Sequence, residues 1–392
     1  MEKVLFYCHT FYPQNSGYAN AFKSLIESIL MYKRNIAITV CTPYPLGDAE
    51  ELKYDRLKVI RLKPFINIKK LRYYLNSIYY AKAISNIDKK DNYNLIFVET
   101  LEDAIFLSFL NLRIYKKMVI RVHATTETEY TMYFPSFNHR LRKILIKRNV
   151  LKKIKYIAST NSYHIEFIKR CYFNNNIYDI TQKIFFVLPN TLRLDFKFDL
   201  LKYSVSEKLK LLILGRMDKA GYLQKGFIDF LLALKILPED VTNKFDITII
   251  GKGEYRIKLL RLAKGLNVNF IEELSHERTL SLLLQSDVVV LPSRFEGLSM
   301  FALEALATGN VCLFSNTGGL VDLVKGNGFL FPPQNIEALA ELLNKLSKLE
   351  KNKIIEMKKK SVEIYRKRFH PKVVAEKFYN LLNIVQEMND NF

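Results

Sequence analysis

Asp287-Val288-Val289-Val290-Leu291-Pro292-Ser293-Arg294-Phe295-Glu296-Gly297-Leu298-Ser299 runs from a short apolar, β-branched stretch into a polar turn and on into a helical pattern containing Glu304. A brief run that is apolar at every position, closed by Pro, Ser and Gly, predicts a strand buried on both faces, the habit of parallel sheets covered by helices. The same grammar repeats on either side. Downstream, Val311 to Phe314 reads as a strand; upstream come Leu211 to Leu214, Ile247 to Ile250 and Val268 to Ile271, with helical patterns between them.

The first half alternates in the same way. Lys3 to Cys8 reads as a strand, and the next helix places Tyr18, Phe22, Leu25 and Ile29 on one face. Further strands are expected at 36–41, 57–62, 94–98, 117–122, 154–158 and 184–188. The polar run Asp199 to Lys208 marks the division between two α/β units, each doubly wound. The expected domains are 1–198, 199–370 and a helix at 371–392, whose apolar stripe Val373, Val374, Phe378, Leu381, Leu382 and Val385 requires a groove.

A chain of 392 residues suits two domains, and 49% apolar with 25% charged residues is globular composition, which excludes disordered, collagenous and coiled-coil classes. No charged leader precedes an apolar segment at the start and no apolar run approaches about 18 residues, so a cytoplasmic chain is expected. Cys8, Cys41, Cys171 and Cys312 are widely spaced and read as reduced thiols. The net charge is +21, and residues 1–200 carry 32 basic against 17 acidic side chains, so the first half holds most of the excess. Such a field draws polyanions or an anionic membrane surface.

Ligands of open α/β sheets bind beyond the carboxyl ends of the strands, where glycines admit an anion and helix N-termini aim N–H groups at it. Four turns fit: Tyr12 to Gly17; Gly215-Arg216 with Lys225-Gly226; Gly251-Lys252-Gly253-Glu254; and Pro292 to Ser299. Gly17 and Gly251, taken alone, read first as turn glycines. In the last turn, Glu296 and Glu304 are placed to face one ligand beside amides of Gly297, Leu298 and Ser299.

In that order, Gly215-Arg216, Lys225-Gly226, Gly251-Lys252-Gly253, Glu296 to Glu304 and Thr317-Gly318-Gly319 resemble the donor-binding domain of glycosyltransferase family 4. The first half is similar too, with Pro13 to Gly17, Arg121-Val122-His123 and Val187-Leu188-Pro189-Asn190. The resemblance implies a GT-B fold, two Rossmann-like domains with a cleft between them, the first binding an acceptor and the second a nucleotide-sugar, UDP-linked in the expected case. It implies a retaining, metal-independent, hexosyltransferase-like enzyme without a cofactor. No Asp-x-Asp occurs to bridge a metal.

Carried over from the family, Arg216 and Lys225 meet the donor diphosphate together with Gly17 and the Gly297, Leu298 and Ser299 turn. Glu296 and His123 are the catalytic-centre residues, and Glu304, Gly251 and Leu274 serve ribose and base. A fixed cation aimed at a diphosphate leaving group lowers the barrier as charge builds there. Lys219 competes with Lys225 for the phosphate role. Ser299 stands where glycine is frequent in the family. Glu272 does too, which weakens base contacts at Leu274 or Ser275. For His123 a core role and a sugar-binding role stand level.

Arg140 to Lys153 combines a cation row with Leu141, Ile144, Leu145, Val150 and Leu151; it reads either as a helix in the headgroup region of an anionic bilayer or as a surface helix whose apolar side is core. Lys69 to Tyr80 is a second basic and aromatic stretch, able to touch a lipid-linked acceptor or to pack internally. Together with the Ile-, Lys-, Asn- and Tyr-rich composition of an AT-rich bacterial genome, the charge points to surface polysaccharide or lipopolysaccharide synthesis, at the inner face of the plasma membrane. The competing readings are a sugar-nucleotide epimerase of related fold, a silent nucleotide-sugar binder, and a nucleic-acid binder, for which no recognition motif is present.

Overall fold

The computed structural model describes residues 1–14, 16–43, 54–65, 72–109, 112–123, 137–192 and 203–390, with the side chains of 72–74, 112–113, 137–140 and 390 outside that description. The chain forms two compact units, Met1–Leu194 with Pro371–Phe392, and Asp195–His370.

The first unit is built on seven strands: β1 Glu2–Tyr7, β2 Ile36–Pro43, β3 Leu57–Leu62, β4 Leu95–Val98, β5 Met118–Val122, β6 Tyr156–Ser159 and β7 Ile184–Val187. They pair in parallel in the order β3-β2-β1-β4-β5-β6-β7. Alternation along β1 feeds two cores, because successive side chains point to opposite faces. Leu5 and Tyr7 join Ile96, Val98 and Ile120 on one side. Val4 and Phe6 join Phe97, Phe22 and the C-terminal helix on the other. That helix, Pro371–Asp390, buries Val374, Phe378, Leu381, Leu382 and Val385 to within 1% exposure, and Phe378 stacks on Phe6 with centroids 5.6 Å apart. The groove its stripe requires is therefore the face of this sheet.

The second unit has β8 Leu209–Leu214, β9 Phe245–Ile250, β10 Val268–Ile271, β11 Val288–Leu291, β12 Val311–Ser315 and β13 Gly328–Phe331 in the order β10-β9-β8-β11-β12-β13, all parallel. In both sheets the order reverses beside the first strand, which sets the ligand crevice at the carboxyl ends of β1 and β4, and of β8 and β11.

Two sequence expectations are corrected. The reading stopped at Phe314 and missed β13, a half-exposed edge strand only four residues long; its Gly328 lies so close that an added Cβ would sit 1.9 Å from Cys312 O. The five apolar residues of Arg140 to Lys153 do not share one environment. A helix at Phe137–Leu145 widens into a π-helical turn, Ile146–Val150, which shifts the face. Val150 and Leu151 enter the core at 0% and 1% exposure, whereas Leu141 and Ile144 stay 41% and 49% exposed. Lys69, Lys70, Leu71 and the boundary stretch 199–202 lie outside the described residues.

Behind β11 a buried ion pair anchors the second unit. Lys358 Nζ donates to Asp287 Oδ1 at 2.9 Å and to Ser204 O at 2.9 Å, while Asp287 Oδ2 accepts the Lys210 amide at 3.1 Å.

Candidate functional site

In the second unit, β8 ends in Gly215-Arg216 and β11 ends in the Pro292 to Ser299 turn, one on each side of the switch point. Lys225 Nζ reaches across and donates to Glu296 Oε2 at 2.6 Å; their side chains are 17% and 10% exposed. Ser293 Oγ donates to the same oxygen at 3.3 Å. Gly215 makes room for this arrangement, since a Cβ there would sit 2.9 Å from Lys225 Cγ. Lys225 thus holds the position facing Glu296, whereas Lys219 opens the Lys219–Gln224 helix that Asp218 caps.

The turn itself is fixed by close backbone approaches. Gly226 has φ +67° and a Cβ on it would fall 1.8 Å from Pro292 O; Gly318 has φ +51° and the same addition would fall 1.7 Å from Glu296 O. Gly319 N donates to Gly297 O at 2.8 Å, and Gln224 Nε2 donates to Phe295 O at 3.2 Å. Arg294 is not a free cation: its guanidinium grips Asp229 through two hydrogen bonds of 3.1 and 2.8 Å. Leu298 is buried at 5% exposure, and Ser299 caps the Met300–Ala307 helix by accepting the Ala302 amide.

Arg216 is different in kind. Its side chain is 62% exposed and leans on Asp218 at 3.4 Å, so it is an exposed cation just past a strand end. Gly251 sits where β9 passes β8, with a Cβ position 2.4 Å from Gly215 O. Leu274 is half-buried just after β10, and Glu272 beside it is exposed. Glu304 does not pair with the Lys225 group; it meets His276 Nε2 at 2.9 Å. His276 went unnoticed in the sequence because its partner is 28 residues away.

In the first unit, Ser16 caps the Gly17–Tyr32 helix through the Ala19 amide, and Gly17 faces open space where a Cβ would meet nothing within 4 Å. Among the described residues nothing crowds this position, so no turn geometry or close packing demands glycine there. The next residue, Tyr18, places its ring 5.4 Å from that of His123, so Gly17 and His123 belong to one locality. His123, at the end of β5, is 7% exposed. Burial, with the Arg121 cation and His164 adding to it, holds its pKa well below the usual imidazole range.

The sequence motifs of the first half contain Arg121, Leu188 and Asn190 but assign them no role, and Glu99 and Asp103 were missed altogether. Arg121 is fully buried; it donates to Leu188 O at 3.2 and 3.1 Å and to Asn190 Oδ1 at 2.8 Å. Glu99, at the end of β4, is 2% exposed, and burial raises its carboxyl well above the ordinary range against the opposing pull of Arg121. His9, at the end of β1, pairs with the buried Asp103 of the Leu101–Leu107 helix. Burial opposes charging of His9, but Asp103 outweighs it and its pKa is raised.

Among the described residues no group of His, Cys, Asp and Glu is clustered to hold a metal ion, and no helix is long and apolar enough to cross a membrane.

Residues 199–367 match the family model described as glycosyl transferases group 1. A glycogen synthase from Kosmotoga olearia is 34% identical over 148 residues, 34% of this chain and 30% of that protein, so the matched stretch spans under a third of that relative. Two solved structures show the fold. WaaG, a glycosyltransferase involved in lipopolysaccharide biosynthesis, superposes with a TM-score of 0.67 at 17% identity, covering 97% of this chain and 99% of its own. Anabaena HepE in complex with UDP gives 0.67 at 15% identity, covering 98% of this chain and 100% of its own.

Proposed function

We propose, because residues 199–367 match the glycosyl transferases group 1 family model, that this chain belongs to that family and moves a sugar from a UDP-linked donor to a saccharide or lipid-linked saccharide, with retention and without a metal. The second unit takes the donor and the first takes the acceptor. The observation that carries this reading is the Lys225–Glu296 pair at the switch point of the second sheet, inside the matched residues. The UDP of the HepE complex supports the choice of base.

In the proposed step the bond between the anomeric carbon and the β-phosphate oxygen breaks as the acceptor oxygen bonds the same face. The acceptor proton passes to a phosphate oxygen of the departing UDP. Lys225 and Arg216 neutralise the charge gathering on that leaving group, which is electrostatic stabilisation by groups already in place. Glu296, anchored by Lys225 and Ser293, receives sugar hydroxyls, and Glu304 receives those of the ribose. For His123 and Gly17, in the first unit, the family resemblance implies contacts with the sugar and the phosphate, and the amides at Gly297 to Ser299 add donors.

The surface of the first unit supports a peripheral site at the inner face of the plasma membrane, and the WaaG likeness supports surface polysaccharide or lipopolysaccharide as the product. Leu141 and Ile144 are exposed among Arg142, Lys143, Lys147 and Arg148. Such a surface inserts apolar groups beneath anionic headgroups. Equal co-sedimentation with anionic and neutral vesicles would count against it.

The test of the activity is incubation with UDP-, GDP- and ADP-sugars and saccharide or lipid-linked acceptors, followed by product analysis. A new glycosidic bond that keeps the donor's anomeric configuration is expected. An isomerised nucleotide sugar, or an inverted product, would refute the reading.

A further inference from the structure

Arg121 is the largest wholly buried side chain among the described residues, and a cation removed from water is costly unless every part of it is engaged. Its engagements are specific. Nε and Nη2 are spent on Leu188 O and Asn190 Oδ1, which hold the plane of the guanidinium against the segment after β7. That leaves Nη1, which lies 3.3 Å from His123 Nε2. A guanidinium carries five donors and no acceptor, so a hydrogen bond between these two nitrogens has one possible direction. Arg121 donates, and His123 Nε2 must present its lone pair.

The neighbouring carboxylate agrees. Glu99 Oε1 lies 3.2 Å from the same Nε2, the separation expected if His123 donated to it. Yet among the described residues Oε1 has no aligned donor. A neutral imidazole with a lone pair at Nε2 carries its proton at Nδ1. Among the described residues, Tyr18 of the first helix also lies beside the ring, and His164 of the Ser162–Phe173 helix is near enough to oppose its charging.

We propose that Arg121, held in plane by Asn190 and Leu188 O, is a positioning residue that fixes His123 in the Nδ1–H tautomer, so that the ring offers ligand a hydrogen-bond donor at Nδ1. The claim rests on the proposed function only in naming that ligand as the transferred sugar or its acceptor. The ring then binds a hydroxyl oxygen through Nδ1 and takes no proton in the reaction. The strand pattern Arg121-Val122-His123 has its reason here, because residues two apart on one strand share a face.

The test is nitrogen-15 spectroscopy of the histidine rings in the full chain, with His123 assigned by comparison with His123→Gln, alongside kinetics of Arg121→Met. In the unsubstituted protein Nε2 is expected to be unprotonated and Nδ1 protonated at neutral pH. A ring protonated at Nε2 overturns the inference, and that reading stands even if Arg121→Met does not fold. In a folded Arg121→Met the ring is expected to shift toward Nε2–H, now donating to Glu99, and transfer to fall about tenfold, the worth of one misdirected hydrogen bond. An unchanged tautomer in that variant also overturns it. A protein with the Nδ1–H ring but no transfer from any nucleotide sugar would count against the proposed function alone.

Discussion

Replacing Lys225 with Met removes a cation but keeps much of the side-chain volume. In the structure Lys225 donates to Glu296 at 2.6 Å, and without it that carboxylate, 10% exposed, retains among the described residues the Ser293 hydroxyl at 3.3 Å. Breaking a fully buried pair costs about 3–5 kcal/mol; with the lysine still partly in reach of water, about 1–3 kcal/mol is expected here. At roughly 2–4 °C per kcal/mol, that lowers the unfolding midpoint by about 2–12 °C. For ligand, a charge-assisted hydrogen bond contributes about 1.5–3 kcal/mol. Because the lysine already has Glu296 as acceptor, a phosphate shares or replaces it, and the lower end applies, roughly a tenfold loss of UDP affinity. Calorimetric titration with UDP and with uridine separates the effects. UDP should weaken while uridine is untouched, and Glu296→Gln in the same background should restore much of the stability but not the UDP affinity. Equal losses for UDP and uridine, or none for UDP, would refute the assignment.

Asp287→Ala strands the buried Lys358 ammonium and should cost about 3–5 kcal/mol by denaturant unfolding, with Asp287→Ala/Lys358→Met recovering part of it. Additive losses would show that the pair is not coupled. Gly226→Ala or Gly318→Ala combines a left-handed backbone, worth about 1–2 kcal/mol, with a clash against a carbonyl, so each should lower the melting midpoint and weaken UDP binding together. Phe378→Ala empties a site between Phe6 and Phe97 and should destabilise the first unit by about 3–5 kcal/mol; a loss under 1 kcal/mol would mean the C-terminal helix packs elsewhere. Because His123 is held neutral in the fold, the unfolded chain binds its proton more readily, so its contribution is full above about pH 6.5 and is lost as pH falls toward the depressed value, at most about 1.4 kcal/mol per pH unit. His123→Gln should lose less stability than the parent between pH 7.5 and 5, and identical losses would contradict the burial argument.

The alternation of buried strands and amphipathic helices was legible because each element states its own periodicity locally. The glycine and lysine turns of the second unit were legible for a related reason, since backbone approach and anion binding leave short signatures such as Lys225-Gly226. The arrangement around His123 was not, although Arg121 and Asn190 stand in motifs visible in the sequence. Arg121 meets Asn190 across 69 residues and Glu99 arrives from a neighbouring strand, so their meeting depends on sheet order rather than on spacing. β13 escaped because four residues, three of them half-exposed and the first a glycine, carry almost no periodic signal. The segment 140–153 left two readings open because a π turn, invisible in the residue spacing, rotates its second half into the core while leaving Leu141 and Ile144 outside.

Solving the protein with UDP bound tests most directly whether Arg216, just past the first strand of the second unit, and Lys225, at the end of the short helix that follows, hold the pyrophosphate. Diphosphate oxygens are expected about 2.7–2.9 Å from Lys225 Nζ and from the Arg216 guanidinium. A diphosphate seated away from both, with Lys225 still committed wholly to Glu296, would contradict that assignment.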